Sequence, residues 1–397
     1  MKITYLSWTV PYPPDSGGKN RSYNLSRYLA ERHEVHLHLV SWSNQLVIPQ
    51  ILRTLFASIT VHRLTHSRMD RLQRQVELVP TIVGTYYTSQ SLVEFQQIYE
   101  NRPTDLILID EAHLASYAWP FTDVPCILSR QKVDHLYYRD VFLRTPLGIE
   151  KLKNLHEWLS FRFYENRLWR RFKYGIVVSE EERNLYQSLC PVLNLAVIPN
   201  GVDISFFQAT PLPDSQDPII LFHGSMGYYP NVDAAIWFVE KIFPKVLESL
   251  PRAKLFIVGT DPTPEVKQLA KPNQVIVTGK VPDMRDYLQQ SQVVVVPIRV
   301  GHGTRLKIPE AMAAGRPVVS TPTGAEGLMA SSGEQLLIAE DAAEFAAAVV
   351  KVLADRSLAE QLAVNGRRFV ENNYAWSSIG EKLNQYCHFV LKRQLQH

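Results

Sequence analysis

Gly301–Gly327, GHGTRLKIPEAMAAGRPVVSTPTGAEG, decides how this chain is read. It opens as a glycine-rich loop, passes into a short helix, continues through a buried strand at Pro317–Ser320 and ends in a second glycine-containing loop. Just upstream, VVVVP at Val293–Pro297 reads as a parallel strand covered on both faces. The helix carries one acidic residue, Glu310, among small and apolar neighbours. A nucleotide bound at the carboxyl ends of parallel strands requires such parts. Glycines let the backbone approach, a helix N-terminus favours phosphate, and a carboxylate accepts ribose hydroxyls.

Outward from this stretch, short β-rich runs alternate with longer helical segments. The first half predicts strands at Lys2–Ser7, Glu34–Ser41, Asp105–Ile109, Cys126–Ser129, Gly175–Val178 and Ala196–Ile198. The second predicts them at Ile219–Phe222, Lys254–Val258, Val275–Thr278, Val293–Val296 and Val318–Ser320. Amphipathic patterns lie between, as at Asn231–Leu250 and Ala342–Tyr374. Strand–helix alternation with continuous apolar strands implies an α/β fold with parallel sheets. The pattern occurs twice, with a break near Asn200-Gly201-Val202-Asp203 and a proline-rich linker at Pro211–Pro218. The expected domains are 1–200, 201–375, and a last segment, 376–397, that crosses back to the first as a helix.

Bulk properties agree with two soluble domains. The chain has 397 residues, 46% hydrophobic and 20% charged, with a net charge of +3, too small to imply nucleic-acid binding. Cys126, Cys190 and Cys387 are widely spaced and odd in number, so neither a zinc pattern nor a disulfide framework is expected, and a reducing compartment fits. The N-terminus enters a strand at once, without a signal-peptide pattern, and no apolar run approaches a membrane span.

In the second half the strand exits read His223-Gly224-Ser225, Gly259-Thr260-Asp261, Gly279-Lys280, Pro297-Ile298-Arg299 and Thr321-Pro322-Thr323-Gly324. In a parallel sheet all five lie on one edge, where ligands bind. Any one glycine is explained by a tight turn; five such loops with one helix carboxylate favour a binding edge.

These residues resemble the retaining glycosyltransferases of family 4, which have the GT-B fold: two doubly wound Rossmann-like domains facing a central cleft. The resemblance covers nearly the whole chain. It rests on Ile198-Pro199-Asn200-Gly201-Val202-Asp203, Leu255–Gly259, Val277-Thr278-Gly279 and the block Pro309–Val319. It is nearest to members with a GTRLK-type loop in exopolysaccharide and surface-glycan synthesis. The resemblance implies transfer of a sugar from a nucleotide-sugar to a glycan or lipid-linked acceptor, with retained anomeric configuration, no cofactor and no metal. The first domain would bind the acceptor and the second the donor.

Carried over residue by residue, Glu310 takes the ribose hydroxyls, with Gly224, Ser225, Gly279, Gly303 and Thr304 along the donor. Two departures stand out. His302 occupies the position of the first glutamate of the family's Glu-x7-Glu motif, and its role is open. The loop Gly224–Asp233, GSMGYYPNVD, lacks the Arg and Lys that neutralise the pyrophosphate. Arg305 and Lys307 are the replacements within the chain, since a leaving phosphate needs positive charge. A cation at Arg305 opposes the helix dipole unless an anion is bound; for Lys307 an ordinary solvated residue is an equal alternative.

In the first half, Pro11–Leu25 follows the first strand, with a helix expected to begin near Lys19 or Asn20. Gly17 and Gly18 permit close approach and, by the resemblance, lie across the cleft from the donor, with Lys19 beside them. Asp110-Glu111-Ala112-His113 spells a helicase box by coincidence, because no phosphate-binding loop accompanies it. By family position His113 would bond a sugar hydroxyl or polarise the reacting groups; a packed histidine is the simpler alternative. Ser129–Asp140 mixes polar groups and tyrosines on the acceptor side. Ser179 caps a helix whose first turn holds three glutamates.

Two basic stretches, Arg53–Arg74 and Phe161–Lys173, are candidates for anionic headgroups at the inner face of a membrane, in an otherwise cytoplasmic enzyme. For the second, packing of a helix on the sheet is the better reading. Alternatives to the transferase are a nucleotide-sugar 2-epimerase of the same architecture, or a non-catalytic nucleotide-sugar-binding subunit of a glycan assembly complex.

Overall fold

The computed structural model describes residues 1–43, 46–64, 79–300 and 306–394, which form two compact units, Met1–Pro199 with Ile379–His397 and Asn200–Ser378. The first unit is built on β1 (Lys2–Ser7), β2 (Glu34–Ser41), β3 (Ser58–Arg63), β4 (Leu106–Asp110), β5 (Cys126–Ser129), β6 (Tyr174–Val177) and β7 (Asn194–Val197). They pair in parallel in the order β3-β2-β1-β4-β5-β6-β7. The second unit carries β8 (Ile219–His223), β9 (Lys254–Val258), β10 (Val275–Gly279), β11 (Val293–Val296), β12 (Val318–Ser320) and β13 (Leu337–Ile338), ordered β10-β9-β8-β11-β12-β13, again parallel. The winding reverses between β1 and β4 and between β8 and β11. At such switch points the loops beyond the strands' carboxyl ends diverge and leave a crevice.

The apolar strands behave as both-face-covered parallel strands should. Every residue of β4 and β11 is buried, and each β11 valine contributes on the order of 1.5–3 kcal/mol by burial. Two strands escape a reading by apolar runs. SITVHR of β3 alternates and includes His62 and Arg63, so it reads as part of a basic stretch; β13 has two residues. The remaining strands match expectation to within one or two residues at their ends.

Helix boundaries follow capping chemistry. The helix expected near Lys19 or Asn20 starts at Gly17, because the Ser16 side chain accepts the Lys19 N–H at 3.4 Å. Ser179 caps Glu180–Leu189 through the Glu182 N–H at 3.2 Å, and the Glu182 carboxylate accepts the Val178 N–H at 3.1 Å. The pattern at Ala342–Tyr374 is two helices, Ala342–Ala354 and Arg356–Asn373, since Asp355 ends one and caps the next. Asn231–Leu250 is interrupted by a π-turn at Phe238–Ile242.

The proline-rich linker is not a free tether. Buried Arg316 donates to the carbonyls of Thr210 and Pro211, and Arg356 to those of Leu212 and Pro213, so the segment is docked within the second unit. The last helix, Trp376–Gln394, buries Ile379, Leu383, Cys387 and Val390 in the first unit, a stripe of helical spacing. There Gly380 lies against the Tyr28 ring, where a Cβ would come within 2.1 Å of it. Among the described residues no helix is long and apolar enough to cross a membrane.

Candidate active site

In the second unit the exits of β8, β9 and β10 are laced backbone to backbone. Gly224 N–H donates to Val258 O at 3.0 Å, and Gly259 N–H to Gly279 O at 3.2 Å. Gly259 has φ +154, and a Cβ there would lie 1.6 Å from the Gly224 carbonyl oxygen. Only a residue without a side chain allows these two loops to touch. The Gly224 loop is fixed further by Met226 N–H to Thr260 O at 2.7 Å and by Asn231, whose amide donates to Ser225 O at 2.8 Å.

A cation enters this loop from the opening stretch. Lys307 begins the helix Lys307–Ala313 and sends its ammonium to the Asn231 Oδ1 at 2.7 Å, 4.6 Å from the centre of the Phe222 ring. The space that a Gly224 side chain would fill is the space beside Lys307 Nζ. Glu310, three residues on, projects from the same helix face. It is half-buried; desolvation pushes its carboxyl up to about 7, with the Lys307 charge acting the other way. His223 is buried and neutral, driven down to about 3 by desolvation and then by the Lys307 charge. This edge therefore combines close-approaching backbone, one ammonium and one carboxyl poised near neutrality. That set can hold a phosphate and a pair of vicinal hydroxyls.

The second glycine loop closes on the strand ends: Thr321 Oγ1 accepts the Gly324 N–H at 2.9 Å and donates to the Ile298 carbonyl. Arg299, at the β11 exit, is held by Asp233 at 2.7 Å over the Trp237 ring. Gly301, His302, Gly303, Thr304 and Arg305 lie outside the described residues.

In the first unit Gly17, Gly18 and Lys19 form the first turn of the Gly17–Ala30 helix. Lys19 pairs with Asp15 at 2.9 Å, and a Cβ on Gly18 would come 3.3 Å from the Trp8 ring beyond β1. His113 stands beyond β4 on the turn Ala112–Ala118, buried, with its ring 5.6 Å from Trp8 and 4.7 Å from Tyr86. Desolvation drives it down to about 3, so it is neutral, and its Nε2 has no hydrogen-bond partner among the described residues. It is thus a packed histidine with one ring nitrogen still unsatisfied.

The structure adds residues that sequence reasoning passed over. Asn231 orients Lys307 across 76 positions of chain, which no local pattern reveals. Glu111, dismissed with its coincidental box, has φ 88, a strained value for a side-chain-bearing residue. Burial pushes its carboxyl up to about 8 despite Arg130. Within Ser129–Asp140, assigned to the acceptor side, Arg130 and Asp134 belong to a buried ion cluster: Arg130 binds Asp134 at 2.7 Å and Glu165 at 2.6 Å.

Comparison with known proteins agrees with this architecture. A family model described as Glycosyltransferase Family 4 matches residues 16–206, and one described as Glycosyl transferases group 1 matches residues 217–355. A curated relative, an uncharacterized 44.6 kDa protein in the cps region of Klebsiella pneumoniae, is 22% identical over 94% of this chain and 96% of its own length. The phosphatidyl-myo-inositol mannosyltransferase of Mycolicibacterium smegmatis is 26% identical over 47% of this chain and 50% of its own length. Among solved structures, sucrose-phosphate synthase from Thermosynechococcus elongatus superimposes with a TM-score of 0.70 at 18% identity, covering 99% of this chain and 100% of that one. Anabaena HepE in complex with UDP and glucose gives 0.67 at 14% identity over 98% and 99%. WaaG, a glycosyltransferase involved in lipopolysaccharide biosynthesis, gives 0.61 at 16% over 96% and 98%.

Proposed function

The chain is a glycosyltransferase of the family 4 type with the GT-B fold, and from that premise we propose that it is a retaining, metal-independent enzyme. It moves a sugar from a nucleotide-sugar to a glycan or lipid-linked glycan in surface-polysaccharide synthesis, in the cytoplasm at the inner face of the membrane. The observation that carries the proposal is the ammonium of Lys307 set into the Gly224 loop, one helical turn from Glu310. Residues 201–375 bind the donor and residues 1–200 the acceptor. Glu310 accepts the ribose hydroxyls; Lys307 and Arg305 neutralise the pyrophosphate; Gly224, Ser225, Gly279, Gly303 and Thr304 run along the nucleotide, with His302 near the sugar. Gly17, Gly18 and Lys19 face donor or acceptor, and neutral His113 hydrogen-bonds a hydroxyl.

The chemistry needs no protein nucleophile. The bond between the anomeric carbon and the phosphate oxygen breaks as the acceptor oxygen attacks the same face. The departing phosphate oxygen takes the acceptor's proton. The protein supplies positioning and charge stabilisation. Support for the donor and acceptor classes comes from the fold relatives: HepE structures hold UDP, glucose and UDP-glucose, and TarM was solved with UDP and a sugar-glycerol. The Klebsiella relative's place in a cps region points to surface glycans.

The test is a thermal-shift screen of the full chain against UDP-, GDP-, ADP- and dTDP-sugars, followed by transfer assays with EDTA present. One nucleotide-sugar raises the melting temperature, since a ligand of the folded state stabilises it, and free nucleotide appears only when acceptor is added. Conversion of the donor without acceptor would assign an epimerase instead, and binding without turnover a non-catalytic subunit.

A further inference from the structure

The period of two sorts the residues of β2 onto two faces of the sheet. Val35, Leu37 and Leu39 take one; His36 and His38 take the other. The register sets Thr4, His36 and Ser58 in one row and His38 beside Thr60 in the next. This face is polar although the helix Ser89–Asn101 packs over it. Burying polar groups costs free energy unless they find partners. Several do. His36 Nδ1 meets Ser58 Oγ at 2.7 Å, the Thr4 and Thr104 hydroxyls meet at 3.0 Å, and His38 Nδ1 meets His62 Nε2 at 2.9 Å. Phe95 of the covering helix packs edge-on against His38 and His62, its ring 5.2 and 5.6 Å from theirs.

Towards the end of that helix a cavity of about 270 Å³ opens against the strands, lined by Thr4, His36, His38, Thr60, Asn101 and Arg102 among others. That is roughly the space of nine waters in the liquid. Four of its groups have no partner among the described residues: His38 Nε2, the Thr60 hydroxyl, the Asn101 amide and the Arg102 guanidinium. No carboxylate lines the cavity among the described residues. His38 is buried and neutral, driven down to about 3 by desolvation and then by His62 and His36. A neutral imidazole whose Nδ1 accepts from His62 turns an N–H outward at Nε2. The lining is therefore a set of donors around one uncompensated cation. It repels a cation and leaves an apolar ligand facing unsatisfied groups. An oxyanion satisfies both. The donors come from β2, β3 and a helix end, which suits the three oxygens of a phosphoryl group better than the two of a carboxylate.

We propose that this cavity binds a phosphoryl oxyanion, as free phosphate or as the monoester of a small polyol. Arg102 supplies the compensating charge. Asn101 and Thr60 donate to the oxygens, and His38 donates through Nε2–H while its Nδ1 accepts from His62 Nε2–H. The site is separate from the one assigned to the sugar acceptor. Thr4, His36 and Ser58 lie in the amino-terminal halves of β1, β2 and β3, whereas Gly17 and His113 follow the carboxyl ends of β1 and β4. The inference does not depend on the donor-edge reading, and its failure leaves that reading intact.

The test is calorimetric titration of the full chain with inorganic phosphate, glycerol phosphate and glycerol. A phosphate binds saturably and glycerol does not. Tighter binding of glycerol phosphate identifies a monoester as the occupant; equal or tighter binding of inorganic phosphate identifies the free ion. Arg102→Gln weakens binding at least about tenfold, through loss of a charge-assisted hydrogen bond. Its melting temperature holds, because Arg102 is exposed and has no internal bond to lose. Thr60→Val also weakens binding. Long-range nitrogen–proton NMR correlations show the His38 ring protonated at Nε2 when phosphate is saturating. No binding of either phosphate, equal binding of glycerol, or unchanged affinity in Arg102→Gln overturns the proposal. So does binding that Lys307→Met abolishes, because the anion then sits at the donor edge.

Discussion

The Nζ of Lys307 stands 3.0 Å from the point that a Cβ on Gly224 would occupy. The missing side chain at 224 and the ammonium from 307 are two halves of one arrangement, with Asn231 fixing the cation at 2.7 Å. If that cation neutralises the leaving phosphate, Lys307→Met lowers kcat on the order of a hundredfold, the usual worth of one preorganised charge at a developing anion. Lys307→Arg keeps part of the rate. Initial-rate kinetics that separate kcat from KM check this; a change in KM alone would assign Lys307 to ground-state binding.

If Glu310 accepts the ribose hydroxyls, nucleotide affinity depends on pH. Its carboxyl is raised to about 7 in the unliganded protein, and a ribose needs the ionised form as acceptor. Affinity therefore declines as pH falls through about 7 and levels off above it. His223, depressed to about 3, stays neutral throughout this window. Glu310→Gln binds roughly tenfold to a hundredfold more weakly at pH 8, from loss of charge-assisted hydrogen bonds, and its binding no longer varies between pH 6 and 8. Calorimetric titration across pH reads both effects.

Two glycine substitutions separate crowding from backbone strain. Gly259→Ala places a methyl on the Gly224 carbonyl and must push two loops apart, so it both destabilises the second unit and abolishes donor binding. Gly279 has φ +73 with open space where a Cβ would stand. Gly279→Ala therefore costs only about 1 kcal/mol of strain and crowds no described protein atom, so any loss of donor binding comes from the methyl meeting the nucleotide rather than from displaced loops. Urea unfolding with and without donor distinguishes them.

Glu111 carries a stability signature of its own. Its folded carboxyl is raised from 4.5 to about 8 by burial. The protonated form is favoured in the fold, so the associated stability is full below about 4.5 and is lost as pH rises towards 8. Glu111→Gln removes that loss. Its gain in melting temperature over the parent grows between pH 5 and 8 and is smallest at the acid end.

The parts of the fold that apolar runs specify were legible in the sequence: β1, β2, β5, β9, β11 and β12 begin and end where expected. β3 was not, because an alternating strand with histidine and arginine has the composition of a solvated basic segment. At the site, Glu310 and the glycine exits were visible as types in an order. The contact between Lys307 and Asn231 was not, since it joins two strand exits only after β8 and β11 have paired. The strain at Glu111 is a property of φ, which has no trace in residue type. Of the basic stretch from Arg53 to Arg74, residues 65–74 lie outside the described residues. The second basic stretch reads correctly as packed.

The first unit is completed by residues that come last in the chain. Tyr386 donates to the Asn194 carbonyl and accepts the Gly175 N–H at 3.3 Å, while Tyr28 bonds Glu381 at 2.8 Å. During synthesis the ribosome releases the first seven strands long before their covering helix exists. Residues 1–199 thus wait, with the sites for Ile379, Leu383, Cys387 and Val390 open to water, while the whole second unit emerges and folds. Chaperone demand should concentrate in that interval, and a chain cut after Pro199 should be rescued by supplying the final helix as a separate peptide.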